Sequence, residues 1–341
     1  MSGMDPQSHA SGKKLCEEFD AIYFDLDGVL YRGLNAVEGA AETISEISER
    51  GCGVAYVTNN ASRTPDEVAA HLGELGIAAK PSEVVTSSQV AVDILQQHVP
   101  LGGRVFVVGG GGVEEALKVA GYVPSRDSRD CVAVVQGFGP EVSWRDLAHA
   151  SYLIQGGAIW IATNLDTTFP TDSGIAPGNG SLVDAVRNAV GRGPDGVGGK
   201  PDRAMMERTI AAVPGERPLL VGDRYDTDIA AGVAVGIPTM LVLSGVASAT
   251  DVWRANLRAN YLCDSVQGLI LTYQEASING EDYVCGGAKA TFEAVDMCVR
   301  ARGGTRLERL RAADSLKWAM VIQVGLDAFT EGQITLDLDG S

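Results

Sequence analysis

The chain lacks several features that would point to particular classes of protein. It has no run of about 18 or more apolar residues, so a membrane-spanning helix is not expected. Its first residues are small and polar, without the apolar stretch of a secretory signal, and residues 1–18 are expected to form a disordered leader. The six cysteines are scattered and form no CxxC pair, which disfavours a cysteine-ligated zinc site and favours buried, reduced thiols. Together these absences predict a cytoplasmic protein.

Positive charge is also scarce. The formal net charge is −17, which argues against nucleic acid or an anionic membrane as the main partner. The four histidines form no ligand or triad pattern. Any site for an anionic substrate on such a protein needs its own cation, a lysine or helix N-termini.

The order of apolar segments predicts an α/β fold. Short β-branched runs alternate with helical periodicity, and most of the runs are continuously apolar, as in parallel strands buried on both faces. The predicted strands have the sequences AIYFDLD, GVAYVTNN, RVFVVGG, CVAVVQGF, AIWIATN, PLLVGD and PTMLVL. From about residue 271 the composition changes, and a hairpin, a long helix over 307–329 and a final strand are expected.

Two motifs end the first two predicted strands. Asp25 and Asp27 follow an apolar run, and ligands of open α/β sheets bind beyond the carboxyl ends of strands. One of these carboxylates could attack phosphorus while the other moves protons, although a simple turn would also collect Asp and Gly. At the second strand end, Thr58, Asn59 and Asn60 could cradle phosphate oxygens. Thr64, farther along, is expected to cap the next helix.

Two further motifs lie late in the chain. Lys200, in GGKPD, could neutralise a phosphoryl group and a carboxylate, or it could be a solvated surface charge. Asp223 ends another apolar strand and Asp228 follows it. Carboxylates at a strand end suit Mg²⁺, but Asp226 or Asp228 could instead stabilise a helix N-terminus.

These four motifs, in this order on four apolar strands, resemble the haloacid-dehalogenase-like superfamily of aspartate-nucleophile hydrolases. The resemblance covers about residues 19–271, and the TNN, GKP and GDRYDTDI signatures look like its NagD-like branch of p-nitrophenyl-phosphatase-like enzymes. It implies a phosphatase in which Asp25 is the nucleophile and Asp27 the general acid/base.

The resemblance also implies the remaining site residues. Phosphate would be bound by four residues at the strand ends: Thr58, Asn59, Asn60 and Lys200. The implied cofactor is Mg²⁺, held by the Asp25 carboxylate, the Asp27 carbonyl and Asp223, with Asp228 supporting them from behind.

The spacing of the motifs predicts an inserted domain. The segment between Thr58 and Lys200 far exceeds the ~30 residues of a βαβ unit, so the extra domain must lie there. In the family that the chain resembles, an insertion at this place is an α/β cap. The expected fold class is a Rossmann-like, doubly wound parallel-sheet core with such a cap and a small C-terminal α+β extension. The predicted boundaries give the core 19–84 and 195–270, the cap 85–194 and the extension 271–341.

Substrate choice is expected to reside in the cap. Asn164 and Asp166 follow a predicted strand, and the PGNGS loop could also contact substrate. Relatives that take pyridoxal phosphate carry a ring-stacking histidine where this chain has Phe169. A small aliphatic ester is therefore favoured, with glycerol 3-phosphate first, 2-phosphoglycolate second, and another small sugar or nucleotide monophosphate after them. A homodimer formed through the cap is a further expectation.

Three other interpretations stay open at this point. The glycines of VFVVGGGGVEEAL imitate a nicotinamide-dinucleotide fingerprint, although no acid follows in a suitable context. A non-catalytic regulator with a retired site is also conceivable, although all four motifs are intact. Finally, arginines of the tail could face a partner, an anionic effector or RNA, or they could form a solvated helix face. They are Arg300, Arg302, Arg306, Arg309 and Arg311.

Overall fold

The structure is a computed structural model that describes residues 12–171 and 174–338, with the backbone alone for residues 169–171. The described residues form twenty strands. In chain order these are β1 Ala21–Phe24, β2 Tyr31–Arg32, β3 Asn35–Ala36, β4 Gly53–Thr58, β5 Val84–Thr86, β6 Arg104–Val108, β7 Val123–Ser125, β8 Ala133–Gln136, β9 Ile159–Ala162, β10 Thr168–Thr171, β11 Gly174–Pro177, β12 Gly196–Val197, β13 Pro218–Gly222, β14 Thr239–Val242, β15 Tyr261–Cys263, β16 Ser277–Asn279, β17 Asp282–Cys285, β18 Ala288–Glu293, β19 Cys298–Gly303 and β20 Thr335–Asp337.

Eleven α-helices lie within the same residues. They are α1 Ala40–Glu49, α2 Pro65–Glu74, α3 Ser87–Gln96, α4 Gly111–Val119, α5 Trp144–Gln155, α6 Asn179–Val190, α7 Arg203–Ala212, α8 Ala230–Val235, α9 Ala249–Arg254, α10 Arg306–Val324 and α11 Asp327–Thr330. A π-helical turn, Tyr225–Ile229, runs into α8. None of the helices in the described part of the chain has the length and apolar character needed to cross a bilayer.

The core is a six-stranded parallel sheet in the order β15-β14-β13-β1-β4-β5. Its central strand β1 is buried at every position, as the continuous apolar run AIYF predicts. Thr64 caps α2 in a capping box with Glu67, which confirms the local prediction at that helix start. The carboxyl ends of β1, β4, β13 and β14 meet at one edge of this sheet.

The cap is built on a second parallel sheet, in the order β12-β9-β8-β6-β7. The antiparallel hairpin β10–β11 projects between β9 and α6. The core and the cap confirm the predicted fold class, with the second sheet inserted between the second and third motifs. Along the sequence, the changes from core sheet to cap sheet and back lie slightly later than the predicted boundaries, because β5 pairs in the core sheet and β12 pairs in the cap sheet. The division into domains stays a prediction.

The C-terminal extension is a five-stranded sheet, β16 to β20, packed against α10. It is larger than the hairpin that the sequence suggested, since three antiparallel pairings join β16 to β19 before β20 adds in parallel. The prediction of one helix over 307–329 is wrong, because α10 ends at Val324 and the next residue, Gly325, has a φ of +83° that breaks the helix before α11 begins.

The start of the chain also differs from expectation within the described residues. Leu15 and Cys16, placed by the sequence in the leader, are buried in the main apolar cluster of the core. They form a short 3₁₀ turn with Glu17 beside this cluster. An apolar pair this small gives too weak a pattern to distinguish from a polar leader.

Candidate active site

Three of the predicted acidic or hydroxyl residues lie at the carboxyl edge of the core sheet. Asp25 directly follows β1, Thr58 ends β4, and Asp223 directly follows β13. These strands are neighbours in the sheet, so their ends lie side by side. Motifs that are far apart in the sequence therefore meet at a single site.

Lys200 lies at the centre of this group. Its Nζ is 2.5 Å from Asp25 Oδ1 and 2.7 Å from Asp228 Oδ1, and it also donates to the Val57 carbonyl at 3.2 Å. Its side chain is only 2 % exposed. The ammonium is thus a buried counter-ion shared by two carboxylates, and not a solvated surface charge.

The π-helical turn fixes Asp228. The turn follows Arg224, whose carbonyl accepts hydrogen bonds from both the Asp228 and Ile229 N–H groups (3.1 Å each). Asp228 Oδ2 in turn accepts from the N–H groups of Asp223 (3.2 Å) and Arg224 (3.1 Å). Its other oxygen faces Lys200. Asp226, by contrast, pairs with Arg224 and is largely exposed.

Asp223 is held by a loop that sequence reasoning missed. Its Oδ2 accepts the Val246 N–H at 2.6 Å, and Ser244 Oγ donates to the Gly28 carbonyl at 2.7 Å. A Cβ on Gly28 or on Gly245 would collide with Asp223 Oδ2, so both positions need glycine. The only signal for this loop in the sequence is its position after β14, at the same sheet edge as the other motifs, because the contact itself is made by a backbone N–H.

The acidic group fits a divalent cation. Asp25, Asp223 and Asp228 each offer a carboxylate oxygen, and the three oxygens lie within 4.8 Å of one another. Asp223 Oδ1 is buried and has no hydrogen-bond partner among the described residues, which is costly for a carboxylate unless a cation completes it. Carboxylate oxygens are the donors that Mg²⁺ prefers.

Charge and burial shift the pKa values of these groups. Burial raises the pKa of Asp25 well above its usual range, against the opposing effect of Lys200, and the nearby Asp228 and Asp223 raise it further. Burial and Asp228 raise the pKa of Asp223 to about 7. Burial alone would lower the pKa of Lys200, but Asp228 and Asp25 outweigh it and hold the pKa above its usual value. The acids therefore need a cation to stay ionised together.

Asp27 has a different environment from Asp25. Burial raises its pKa, while the positive charge of Arg63 is the strongest influence in the opposite direction. Arg63 lies in the loop between β4 and α2 and was not among the predicted site residues. A raised pKa suits a group that must hold a proton before giving it to a leaving group.

The residues after β4 have distinct contacts. Thr58 Oγ1 accepts the Asn60 N–H at 3.0 Å, and Asn60 Oδ1 accepts from the N–H and hydroxyl of Ser62. Asn59 exchanges two hydrogen bonds with the backbone of Lys200, at 2.7 and 3.0 Å. Its side-chain amide is thus already engaged within the protein. Binding of phosphate by Thr58, Asn59 and Asn60 stays a prediction.

The cap reaches the core through Asp166. Asp166 Oδ2 accepts from Asn59 Nδ2 at 2.9 Å and from Asn164 Nδ2 at 2.6 Å. Asn164 is itself buried, and its carbonyl accepts from Asn179 Nδ2 of the PGNGS loop. Two predicted specificity residues, Asn164 and Asp166, therefore join the cap to the second motif. A substrate contact by either of them stays a prediction.

Phe169 lies on β10, where its backbone pairs with Ala176. Its side chain is outside the part of the chain that the structure describes. Its predicted influence on substrate choice therefore stays a prediction.

A cavity of about 520 Å³ opens beside Lys200, between the core and the cap. Leu165, Asp166 and Thr167 line it from the cap, and Asp226 and Thr227 line it from the π-helical turn. Its volume is in the range of small-molecule sites. Its lining includes Lys200 but none of the acids Asp25, Asp27 and Asp223, so the cavity adjoins the acidic group without containing it.

The glycines that imitate a dinucleotide fingerprint have a packing role. A Cβ on Gly110 would lie 3.0 Å from Ser62 Cα, and one on Gly112 would lie 2.5 Å from the Arg63 carbonyl oxygen. The Gly112 N–H donates to the Ser62 carbonyl at 3.1 Å. Gly110 and Gly112 let the start of α4 approach the core loop after β4, and this contact accounts for these two glycines without a nucleotide.

Comparison with known proteins agrees with this geometry. A family model described as haloacid dehalogenase-like hydrolase matches residues 22–123, and a second, HAD-hydrolase-like, matches residues 197–269. A D-glycerol 3-phosphate phosphatase of Mycobacterium tuberculosis is 43% identical over 240 residues, which are 70% of this chain and 67% of that protein. The chain belongs to the haloacid dehalogenase-like hydrolase family. It is a phosphoric monoester hydrolase.

Two solved structures extend the comparison. A glycerol phosphate phosphatase from M. tuberculosis in complex with magnesium has a TM-score of 0.77 and 35% identity, covering 90% of this chain and 93% of its own. NagD from Escherichia coli K-12 has a TM-score of 0.66 and 30% identity, covering 72% of this chain and 96% of its own. The assignment to the NagD-like branch of the family is thereby confirmed, and over a quarter of this chain has no counterpart in NagD.

Proposed function

We propose that this phosphatase hydrolyses small phosphate monoesters, glycerol 3-phosphate first among them, with Mg²⁺ as its cofactor and Asp25 as its nucleophile. The observation that carries the proposal is the group formed by Asp25, Lys200 and the two acids Asp223 and Asp228 at one sheet edge. The 43% sequence identity with a D-glycerol 3-phosphate phosphatase supports glycerol 3-phosphate as the substrate.

In the first step an Asp25 carboxylate oxygen attacks phosphorus. A bond forms between that oxygen and phosphorus while the bond from phosphorus to the alcohol oxygen breaks. Asp27 gives its proton to the departing oxygen, so the alcohol leaves neutral. The raised pKa of Asp27 supports this role, because burial favours the protonated carboxyl that can act as an acid.

In the second step water attacks the phosphoryl group on Asp25. Asp27, now ionised, takes a proton from that water, and the bond between phosphorus and the Asp25 oxygen breaks to release inorganic phosphate. Lys200 balances negative charge on Asp25 throughout, from a position fixed by Asn59 and the Val57 carbonyl.

Asp25, the Asp27 carbonyl and Asp223 would hold Mg²⁺, with Asp228 orienting the Asp223 segment and Lys200. The bound cation supplies positive charge that lets an anionic ester approach an anionic site. A protein with a net charge of −17 repels an anionic substrate, and a bound cation would offset this repulsion within the site itself.

The alternatives for substrate are 2-phosphoglycolate and other small sugar or nucleotide monophosphates. The test is an assay of the purified full chain against such a panel and p-nitrophenyl phosphate, with Mg²⁺ and with EDTA. Release of phosphate that requires Mg²⁺, with glycerol 3-phosphate giving the highest kcat/KM, is the expected result. No hydrolysis of any ester with Mg²⁺ present would favour the non-catalytic interpretation instead.

Two further expectations belong to the proposal. All six cysteines are free, and a reducing compartment such as the cytoplasm would keep them so. Association of two copies through the cap is also proposed. It is tested by comparing the molar mass in solution of wild type with that of a variant in which an exposed apolar residue of the cap, such as Trp144, is replaced.

A further inference from the structure

A single apolar cluster lies behind the loops that carry the acids. Ile229, next in sequence to Asp228, and Leu241 of β14 are fully buried in it. Ala247 belongs to the same cluster, and its N–H donates to the Asp223 carbonyl at 3.1 Å. Both loops that hold the acids therefore rest on this cluster.

The C-terminal extension also contributes to this cluster. Leu310 of α10, which is 1 % exposed, belongs to it, and Leu307, one turn earlier on the same helix, packs against it. Leu336 and Leu338, in and after β20, pack against it as well. All four residues lie beyond the last family-model match, which ends at residue 269. Part of the packing behind the acidic loops thus comes from outside the matched hydrolase region.

Directed contacts hold the extension in place on the core. Lys317 Nζ donates to the carbonyls of Val252 (3.1 Å) and Ala255 (2.8 Å), at the end of α9. Trp253 Nε1 donates to the Ile334 carbonyl at 2.9 Å. These buried hydrogen bonds cross between α9 and the extension. They leave little freedom for α10 to shift relative to the core.

We propose that α10 is a positioning element of the magnesium site. Leu310 packs against the cluster and so keeps the segments of Asp223 and Asp228 at the separation that binds the cation. This inference rests on the magnesium site of the proposed function. Mg²⁺ requires near-ideal octahedral geometry, so a small shift of one carboxylate weakens its binding.

The test compares two truncations on the same helix. Leu310→Ala removes a side chain that faces the cluster behind the acids. Leu316→Ala removes the same atoms from a buried side chain that faces a different cluster, made mainly of extension residues. Both changes create a cavity and lower the melting temperature, so stability alone does not distinguish them. Leu310→Met, which nearly conserves volume, serves as the rescue variant.

Binding of Mg²⁺ to each full-length variant is measured by calorimetric titration, well below every melting temperature. We expect Leu310→Ala to bind Mg²⁺ about fivefold more weakly than wild type, at the lower end of couplings between sites. Leu316→Ala and Leu310→Met should bind it as wild type does. If Leu310→Ala does not fold, the milder Leu307→Ala takes its place with the same expected direction.

The outcomes separate this inference from the proposed function. Wild type that binds Mg²⁺, with Leu310→Ala equal to wild type or with both truncations equally weakened, would overturn the inference alone. Wild type that binds no Mg²⁺ would overturn the magnesium site and the inference together.

Discussion

Lys200 Nζ lies 2.5 Å from Asp25 Oδ1, across 175 residues of sequence and beneath the inserted cap. The same ammonium faces Asp228, so one buried cation balances an acid at the end of β1 and another in the π-helical turn. Removing one partner of a buried pair leaves the other charge uncompensated. The lysine thus contributes both to the stability of the site and to its chemistry.

Lys200→Met should therefore reduce kcat/KM by about 100-fold or more, as loss of a group that stabilises developing charge commonly does. The melting temperature in EDTA should fall as well, and Mg²⁺ should restore more of it than in wild type, because the cation then replaces the missing charge. Lys118→Met, at an exposed lysine of the cap, is the matched control and should change neither quantity. Wild-type kcat/KM for Lys200→Met would exclude a catalytic function for this lysine.

Asp25→Asn should abolish turnover while preserving the fold, because it removes the attacking carboxylate and almost no volume. Circular dichroism should be unchanged, and Mg²⁺ binding should weaken with the loss of one negative charge. Asp127→Asn, at an exposed acid paired with Arg129, is the comparison that should keep full activity. Activity of Asp25→Asn within tenfold of wild type, a barrier change below about 1.4 kcal/mol, would contradict the proposed nucleophile.

Acidification should weaken Mg²⁺ binding near neutral pH. Burial and Asp228 raise the pKa of Asp223 to about 7, so in the metal-free protein this carboxyl takes up a proton as the pH falls through that value. A metal ligand must be ionised, and the proton therefore competes with Mg²⁺. Titrations at pH 8, 7 and 6 should show affinity falling by about tenfold per pH unit below 7 for each proton displaced. Affinity that stays constant from pH 8 to 6 would contradict this coupling.

Much of this site was predictable, because Asp25 and Asp223 directly follow apolar strands and parallel strands bring such ends together. Lys200 reaches the same place from the segment after β12, which pairs in the cap sheet. The Val246 loop was missed because its contact is a backbone N–H, which leaves no mark on residue type. Only a hairpin and a final strand of the extension's sheet were predicted, because strands such as β16 and β17 are short and partly exposed and lack the continuous apolar runs of the core.

The contacts of Asp166 predict a uniform effect on all substrates. Its Oδ2 accepts from Asn59 and Asn164, and Asn59 also binds the Lys200 backbone, so Asp166 links the cap to the buried lysine. Asp166→Ala breaks two hydrogen bonds to a charged group, each worth about 1.5–3 kcal/mol, and should lower kcat/KM about tenfold or more. The loss should be similar for glycerol 3-phosphate and 2-phosphoglycolate. A change in the ratio of the two would instead support the selection of substrate that the sequence suggested for Asp166.

Lys317 should make the stability of the protein rise with pH under alkaline conditions. It is fully buried, and burial lowers its pKa from 10.5 to about 8, against the opposing charge of Asp314. Between about pH 8 and 10.5 the unfolded chain therefore binds more protons at this residue than the folded protein does, and the free energy of unfolding increases with pH. Below pH 8 Lys317 is protonated in both the folded and the unfolded chain, so the free-energy cost of burying its charge is present in full.

The measurement is the melting temperature of wild type and of Lys317→Met from pH 7.5 to 9.5, because the difference cancels other groups that titrate in this range. Wild type should gain stability relative to Lys317→Met as the pH rises. Lys289→Met, at an exposed lysine of the same extension, should follow wild type at every pH. Parallel curves for wild type and Lys317→Met would mean that Lys317 keeps its ordinary pKa, with water or Asp314 compensating its burial between α9 and the extension.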